Sequence, residues 1–339
     1  MRTDELEMFV AEIFGKLGIP RDGAQVTAKA IVAADVEGVA SHGVMLVPMY
    51  VDRMLAGSVS TRTEPAVVHD GGSALVVDAG NALGQLTSDW AIPMVIERAY
   101  KHGLAALAVR NGFHFGTAGY WARQIAEAGL AGAVMCNTRP LMPPPGGAER
   151  VVGNNPLAIA LPPDFVVDMA TSATAMGKVR LAEAAGKPIP EGWAADAEGR
   201  PTSDASAAIK GMLLPAAGPK GFGLAAAIDL LCGGLSGGAI GDEVAPLYGD
   251  PATPYRCSQL FIAIDPARFG ISNLQERTAN FANRIRTAKR APGSERIYAP
   301  GDLERARRSE HAEECPLPPE VLSKLKECAA KVGVEREFA

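Results

Sequence analysis

Long apolar runs, paired cysteines, aromatics and a surplus of basic charge are all scarce in this 339-residue chain. The most apolar stretch, Leu224 to Ile240, is broken by Asp229 and by glycines, which predicts a buried helix and turn, not a membrane span. The five cysteines, at 136, 232, 257, 315 and 328, form no CxxC pair. An odd count without spacing excludes a disulfide framework and predicts a cytoplasmic protein. No metal-ligand spacing occurs, so no metal is expected. Net charge is −5, and a mildly acidic chain is not built to grip nucleic acid. Arg305, Arg307 and Arg308 are the one basic cluster and predict a solvated helix face. Aromatics make up only 6%, whereas Gly (37) and Pro (25) are plentiful, so the core must rest on Ala, Val, Leu and Ile. The acidic start, Met1-Arg-Thr-Asp-Glu, leads into a helical pattern and does not read as a signal peptide.

The length predicts more than one domain. Helical spacing appears over 4–17, 24–38 and 43–55, so the first 57 residues read as all-helical. Strands are predicted at 66–69, 73–78, 104–109, 131–136, 165–168 and 259–264. Helices are predicted at 85–102, 117–128, 173–185, 220–235 and 318–332. Residues 139–165 read as loop with short strands, and 187–219 as loop with little regular structure. Helices at both ends of the chain are expected to pack together.

A dinucleotide-binding turn normally reads G-x-G-x-x-G between strand and helix, and none is present. Lys220-Gly-Phe-Gly223 opens a helix, whose free N–H groups and partial positive charge suit a phosphate; tight helix packing explains the same glycines equally well. Ser41-His42-Gly43 lies at a helix start, where His42 can exchange a proton or simply sit beside a capping serine. His114 lies in a glycine-containing loop after a buried strand, a common ligand-binding arrangement, though loop histidines also satisfy backbone groups. Asn154, Thr171 and Ser172 follow strands and offer polar groups for a carboxamide or ribose, and Asp168 and Asp196 are candidate orienters of a histidine.

Taken together, these segments resemble the type-2 malate/L-lactate dehydrogenase family, over about residues 5 to 302. The resemblance is carried by Ser41-His42-Gly43, His114-Phe-Gly-Thr-Ala-Gly119, Gly146-Gly147, Gly153-Asn-Asn-Pro156, Asp168-Met-Ala-Thr-Ser172, Gly192-Trp-Ala-Ala-Asp196 with Gly199, Lys220-Gly-Phe-Gly223 and Pro300-Gly301. It implies an α/β (α+β) protein with a non-Rossmann NAD(P)-binding fold, a largely antiparallel sheet and a helical domain from both termini. The expected domains are 1–60 with 290–339 (helical), 61–120 with 210–289 (cofactor-binding) and 121–209 (inserted). It implies NAD or NADP as cofactor, a small-molecule substrate and a homodimer. The implied cofactor contacts are His114, Phe115, Gly116, Thr117, Ala118, Ala170, Thr171, Ser172, Lys220, Gly221, Pro300 and Gly301. Either His42 or His114 is the implied acid/base; His42 is preferred, with Ser41 and Asp196 holding its ring and Asn154 orienting the substrate.

The implied reaction interconverts a 2-oxo or 2-imino acid and its reduced form by hydride transfer, with an imidazolium supplying the proton. One departure matters. Many relatives carry Arg where this chain has Leu46, and Leu cannot grip a carboxylate. Arg139 is the expected replacement; Arg53 is less suitable because it is expected on the surface of the third helix. The competing readings are a reductase of an uncharged or cyclic imine, a cofactor-binding homologue without turnover, and a Ser–His–Asp hydrolase. The last is disfavoured because adjacent Ser and His side chains rarely point at each other.

Overall fold

The computed structural model describes residues 1–335. The chain opens with α1 (Thr3–Lys16), α2 (Arg21–Val36) and α3 (Val47–Leu55). Helix α1 buries Leu6, Phe9, Val10, Ile13 and Phe14 along one stripe, each worth roughly 1.5–3 kcal/mol. The end of the chain returns as α10 (Asp302–Glu310) beside α2 and α11 (Pro319–Lys331) beside α3. Leu325, Cys328 and Ala329 join Phe9, Ile13 and Tyr50 in one core. The expected union of the two ends is therefore present. Before α3 the chain makes single 3-10 turns at Ala40–His42 and Val44–Leu46 rather than one helix from residue 43.

A seven-stranded sheet follows. Its strands are β1 (Ala66–Asp70), β2 (Ala74–Asp78), β3 (Leu104–Gly112), β4 (Ala131–Cys136), β5 (Leu157–Leu161), β6 (Phe165–Met169) and β10 (Cys257–Ile264), in the order β1-β2-β3-β10-β4-β5-β6. Only β2 and β3 pair in parallel; every other neighbour is antiparallel. Helices α4 (Gly84–His102) and α5 (Ala118–Glu127) cover one face through Val95, Trp121 and Ile125. On the other face α8 (Pro219–Asp229) places Ile228, next to Cys232, against Met135 and Leu260.

A smaller lobe holds α6 (Met176–Ala184), α7 (Ala205–Lys210) and a three-stranded sheet of β7 (Ala194–Ala195), β8 (Pro201–Thr202) and β9 (Met212–Leu213). Helix α6 falls within the expected 173–185 helix, whereas 187–219 was expected to be loop with little regular structure. Two-residue strands are too short to show an alternating pattern, so their pairing is set by packing under Leu141, Val179 and Leu213. Strand pairing also divides the expected 121–209 unit: 131–136 and 157–169 run in the large sheet, and the remainder builds the lobe. Helix α9 (Leu274–Arg286) had no sequence signal, since only Thr278 and Ala282 are buried along it. The expected 220–235 helix is helical throughout, as α8 to Asp229, one π-helical turn over Leu230–Gly234 and α-helix again at 235–236.

Candidate active site

The order of the sheet gathers the site at one edge. Strands β3 and β4 flank β10 and run the same way, so Gly112 and Cys136 both end beside Cys257–Gln259. The loops beginning at Phe113 and Asn137 thus leave two strand spacings apart, about 10 Å. Strand β5 starts at this edge and β6 finishes there, because Met135 pairs with Leu157 and Leu157 with Met169. Asn154, Ala170 and Thr171 are brought to the same rim.

His42 sits on the single turn Ala40–His42 above the end of α2. The buried Asp35 carboxylate accepts a hydrogen bond from Val44 N–H at 2.7 Å. A Cβ on residue 43 would land on that carboxylate, so only Gly43 lets the turn rest on it. Burial pushes the Asp35 carboxyl up to about 7. The Ser41 hydroxyl lies 3.0 Å from His42 Nδ1, so these neighbouring side chains do meet.

His114 arrives from β3. Its ring stacks on His42, with centroids 5.3 Å apart and planes 29° off parallel. Its Nδ1 is 2.5 Å from the Tyr50 hydroxyl and accepts from Gly116 N–H at 3.3 Å. Gln85 Nε2 donates to the same tyrosyl oxygen at 3.3 Å. Gly84 makes this possible: any side chain there would strike the Phe113 carbonyl, so α4 starts flush against the His114 loop. Burial lowers His42 to about 4; burial and the neighbouring His42 lower His114 to about 3. Both rings are neutral near pH 7, so the expected imidazolium is not the resting form.

Thr138 Oγ donates to Asn154 Oδ1 at 2.9 Å, and Thr138 N–H to Asn155 Oδ1 at 2.8 Å. These bonds tie Asn154 to Thr138, the residue before Arg139 in the chain. The half-buried Arg139 guanidinium has no hydrogen-bond or ion-pair partner among the described residues. Burial and the nearby Arg150 and Arg180 lower its pKa.

Three expectations need correction. Leu46 is 2% exposed and packs into the helical core. Arg53 is not on the surface: it is 1% exposed and donates to the carbonyls of Pro246, Leu247 and Thr253. Asp196 does not hold His42; its carboxylate takes Arg200 Nε at 2.8 Å and closes its own turn.

Among the expected cofactor contacts, Phe115 packs its ring into the core beside Phe261 and offers only backbone. Its carbonyl accepts from Trp121 Nε1, which pins the loop through Gly116, Thr117 and Ala118. The Thr171 hydroxyl is spent on Asn154 O and that of Ser172 on Thr174 O, so both shape the rim. Ala216 N–H donates to Thr171 O, which sets the start of α8 against that rim. There Lys220 is exposed and Gly223 faces open space, whereas Gly221 packs against Ala216. A phosphate fits this helix mouth. A groove of about 290 Å³ opens nearby between Pro143–Ala148, Gly199 and Gly218. Pro300 and Gly301 pack on Val166, toward the far end of β6.

The sequence reading passed over Tyr50, Gln85 and Asp35; Gly43 and Gly84, each pressed against another element, were the available signals. It also passed over Gly234-Leu-Ser236-Gly-Gly238, which matches the letters of a hydrolase elbow. Ser236 is 2% exposed and donates to Cys232 O at 2.6 Å, after a π-helical turn. It is no nucleophile. No group of His, Cys, Asp and Glu able to hold a metal occurs among the described residues, and no helix there is long and apolar enough to cross a membrane.

The family model for malate/L-lactate dehydrogenase matches residues 1–326. The chain is 35% identical over 326 residues to (2R)-3-sulfolactate dehydrogenase (NADP(+)) of Chromohalobacter salexigens, covering 95% of this chain and 96% of that one. It is 34% identical over 303 residues to ureidoglycolate dehydrogenase (NAD(+)) of Escherichia coli O157:H7, covering 88% and 86%. Sulfolactate dehydrogenase from Methanocaldococcus jannaschii superposes with a TM-score of 0.91 at 32% identity, over 98% of this chain and 97% of that one. Relatives thus include enzymes named for each nicotinamide cofactor. The chain belongs to the malate/L-lactate dehydrogenase family and is an oxidoreductase.

Proposed function

We propose that this protein interconverts a small 2-oxo or 2-imino acid and its 2-hydroxy or 2-amino (or cyclic imino) counterpart, using NAD or NADP and a histidine acid/base. The observation that carries this reading is the stack of His42 on His114, from distant parts of the chain, at the rim that also bears Asn154. The cofactor, when bound, supplies or accepts the hydride at the substrate's C2.

In the oxidative direction a neutral imidazole takes the hydroxyl proton, which suits rings held well below pH 7. In the reductive direction the ring must first gain a proton, and a carboxylate bound beside it favours that gain. Arg139 is the carboxylate grip. A partly desolvated guanidinium with no partner in the described protein has its forked donors free for an anion. Asn154 orients the substrate.

Two broader features complete the proposal. Leu224, Leu230, Leu231 and Leu235 are exposed along α8 and the turn after it, an apolar face that supports a homodimer. The five cysteines are buried free thiols, which supports a cytoplasmic setting.

The test is consumption of NADH and NADPH with a panel of 2-oxo acids, with and without methylamine. Turnover of at least one acid is expected, and inertness with both nucleotides would end the proposal. Arg139→Ala should raise KM for the 2-oxo acid at least tenfold, the loss of about one charge-assisted pair. An unchanged KM would move the grip elsewhere.

A further inference from the structure

The hydrogen bonds behind His114 have a chemical direction. Gly116 N–H can only donate, so His114 Nδ1 must accept, and the neutral ring then carries its proton on Nε2. Tyr50 fits the same polarity. Its oxygen accepts from Gln85 Nε2, and its own proton is directed to Nδ1, 2.5 Å away. The other tautomer would set the Gly116 N–H against an Nδ1–H.

We propose that Tyr50, held by Gln85, is a positioning residue that locks His114 as a neutral Nε2–H donor to the substrate's C2 oxygen or nitrogen, leaving net proton exchange to His42. The substrate part rests on the function proposed above. For His114 to release its Nε2 proton, Nδ1 would have to take the proton of Tyr50. That would leave a phenolate packed between Phe14 and Phe113. Burial raises the Tyr50 pKa, and the titratable groups that act on it, Tyr248 and Cys257, raise it further; Gln85 alone opposes this. His42 has no such lock. Its Nδ1 meets the exposed Ser41 hydroxyl, which gives a proton a route to water.

The test reads the tautomer directly. Long-range ¹H–¹⁵N spectra of the labelled full chain without nucleotide, assigned through His114→Gln, should show His114 protonated at Nε2 and bare at Nδ1. In Tyr50→Phe that preference should weaken. The variant's kcat should fall at least tenfold, while its affinity for reduced nucleotide, followed by Trp fluorescence, stays within twofold. Gln85→Met should shift both readouts the same way by less. Protonation at Nδ1 in the unaltered protein would overturn the lock without any need for the variants to fold. Wild-type kcat and tautomer in Tyr50→Phe would overturn it as well. A correct tautomer in a protein inert toward every acid and both nucleotides would instead overturn the substrate role and the dehydrogenase reading together.

Discussion

His42 sits on one helical turn whose supports, Ser41 and Asp35, are close in sequence. His114 is held by Tyr50 from α3 and Gln85 from α4, 64 and 35 residues apart along their two bonds. One ring borders an exposed hydroxyl; the other is backed by a buried phenol. Two stacked imidazoles of the same chemistry are thereby given different freedoms. A ring free to exchange its proton suits acid/base work, and a ring whose proton is fixed suits polarising a carbonyl.

The largest expected effect compares the two rings directly. Gln can donate a hydrogen bond but cannot shuttle a proton. His42→Gln should lower kcat by about 10²–10⁴-fold, the range for loss of an acid/base. His114→Gln, with an amide N–H in place of Nε2–H, should lose roughly 5–150-fold, the worth of one imperfect hydrogen bond. Steady-state rates with saturating nucleotide rank them, and the reverse order would exchange the two roles.

How far the sequence disclosed this difference depends on range. The helices, the strands β2, β3, β4 and β10 and the union of the two chain ends follow from periodicity, because each buries a continuous face. Ser41 beside His42 was legible because the contact is between neighbours. Tyr50 and Gln85 were not, because they read as ordinary helix residues until α3 and α4 meet at the Phe113–His114 backbone. Arg53 failed for a related reason: its partners are carbonyls about 200 residues away, and charge on a helix normally means solvent. Asp196 was misplaced because its turn satisfies it locally.

A smaller effect separates the footings of the two rings. Asp35 under the His42 turn titrates; no carboxylate is bonded to His114 among the described residues. The unfolded Asp35 carboxyl loses its proton near 3.8 and the folded one near 7. Between those values the folded state holds the extra proton, so this group costs stability as pH rises from about 4 to about 7, and the full cost remains above 7. Asp35→Asn keeps an acceptor for Val44 N–H without the charge. It should gain on the order of 2–4 kcal/mol over the parent at pH 8, from about three units at 1.36 kcal/mol each as an upper bound, and little at pH 4. The depressed histidines pull the other way between about 4 and 6.5 but are common to both proteins and cancel in the difference. Urea unfolding at the two pH values measures it. Parallel pH curves would show that Asp35 is already ionised alike in both states.

The smallest effect concerns the hydroxyl beside His42. Ser41 lies 3.0 Å from Nδ1 and is exposed, so in Ser41→Ala a water molecule can take over the bond at small cost. Loss of kcat should stay within about 2–10-fold, the worth of one ordinary hydrogen bond. The contrast with Tyr50→Phe is the informative part. Water can replace a partner at the surface but not one sealed between Phe14 and Phe113. If Ser41→Ala proved as damaging as His42→Gln, the serine would be an obligatory member of the proton path, and His42 would be no freer than its neighbour.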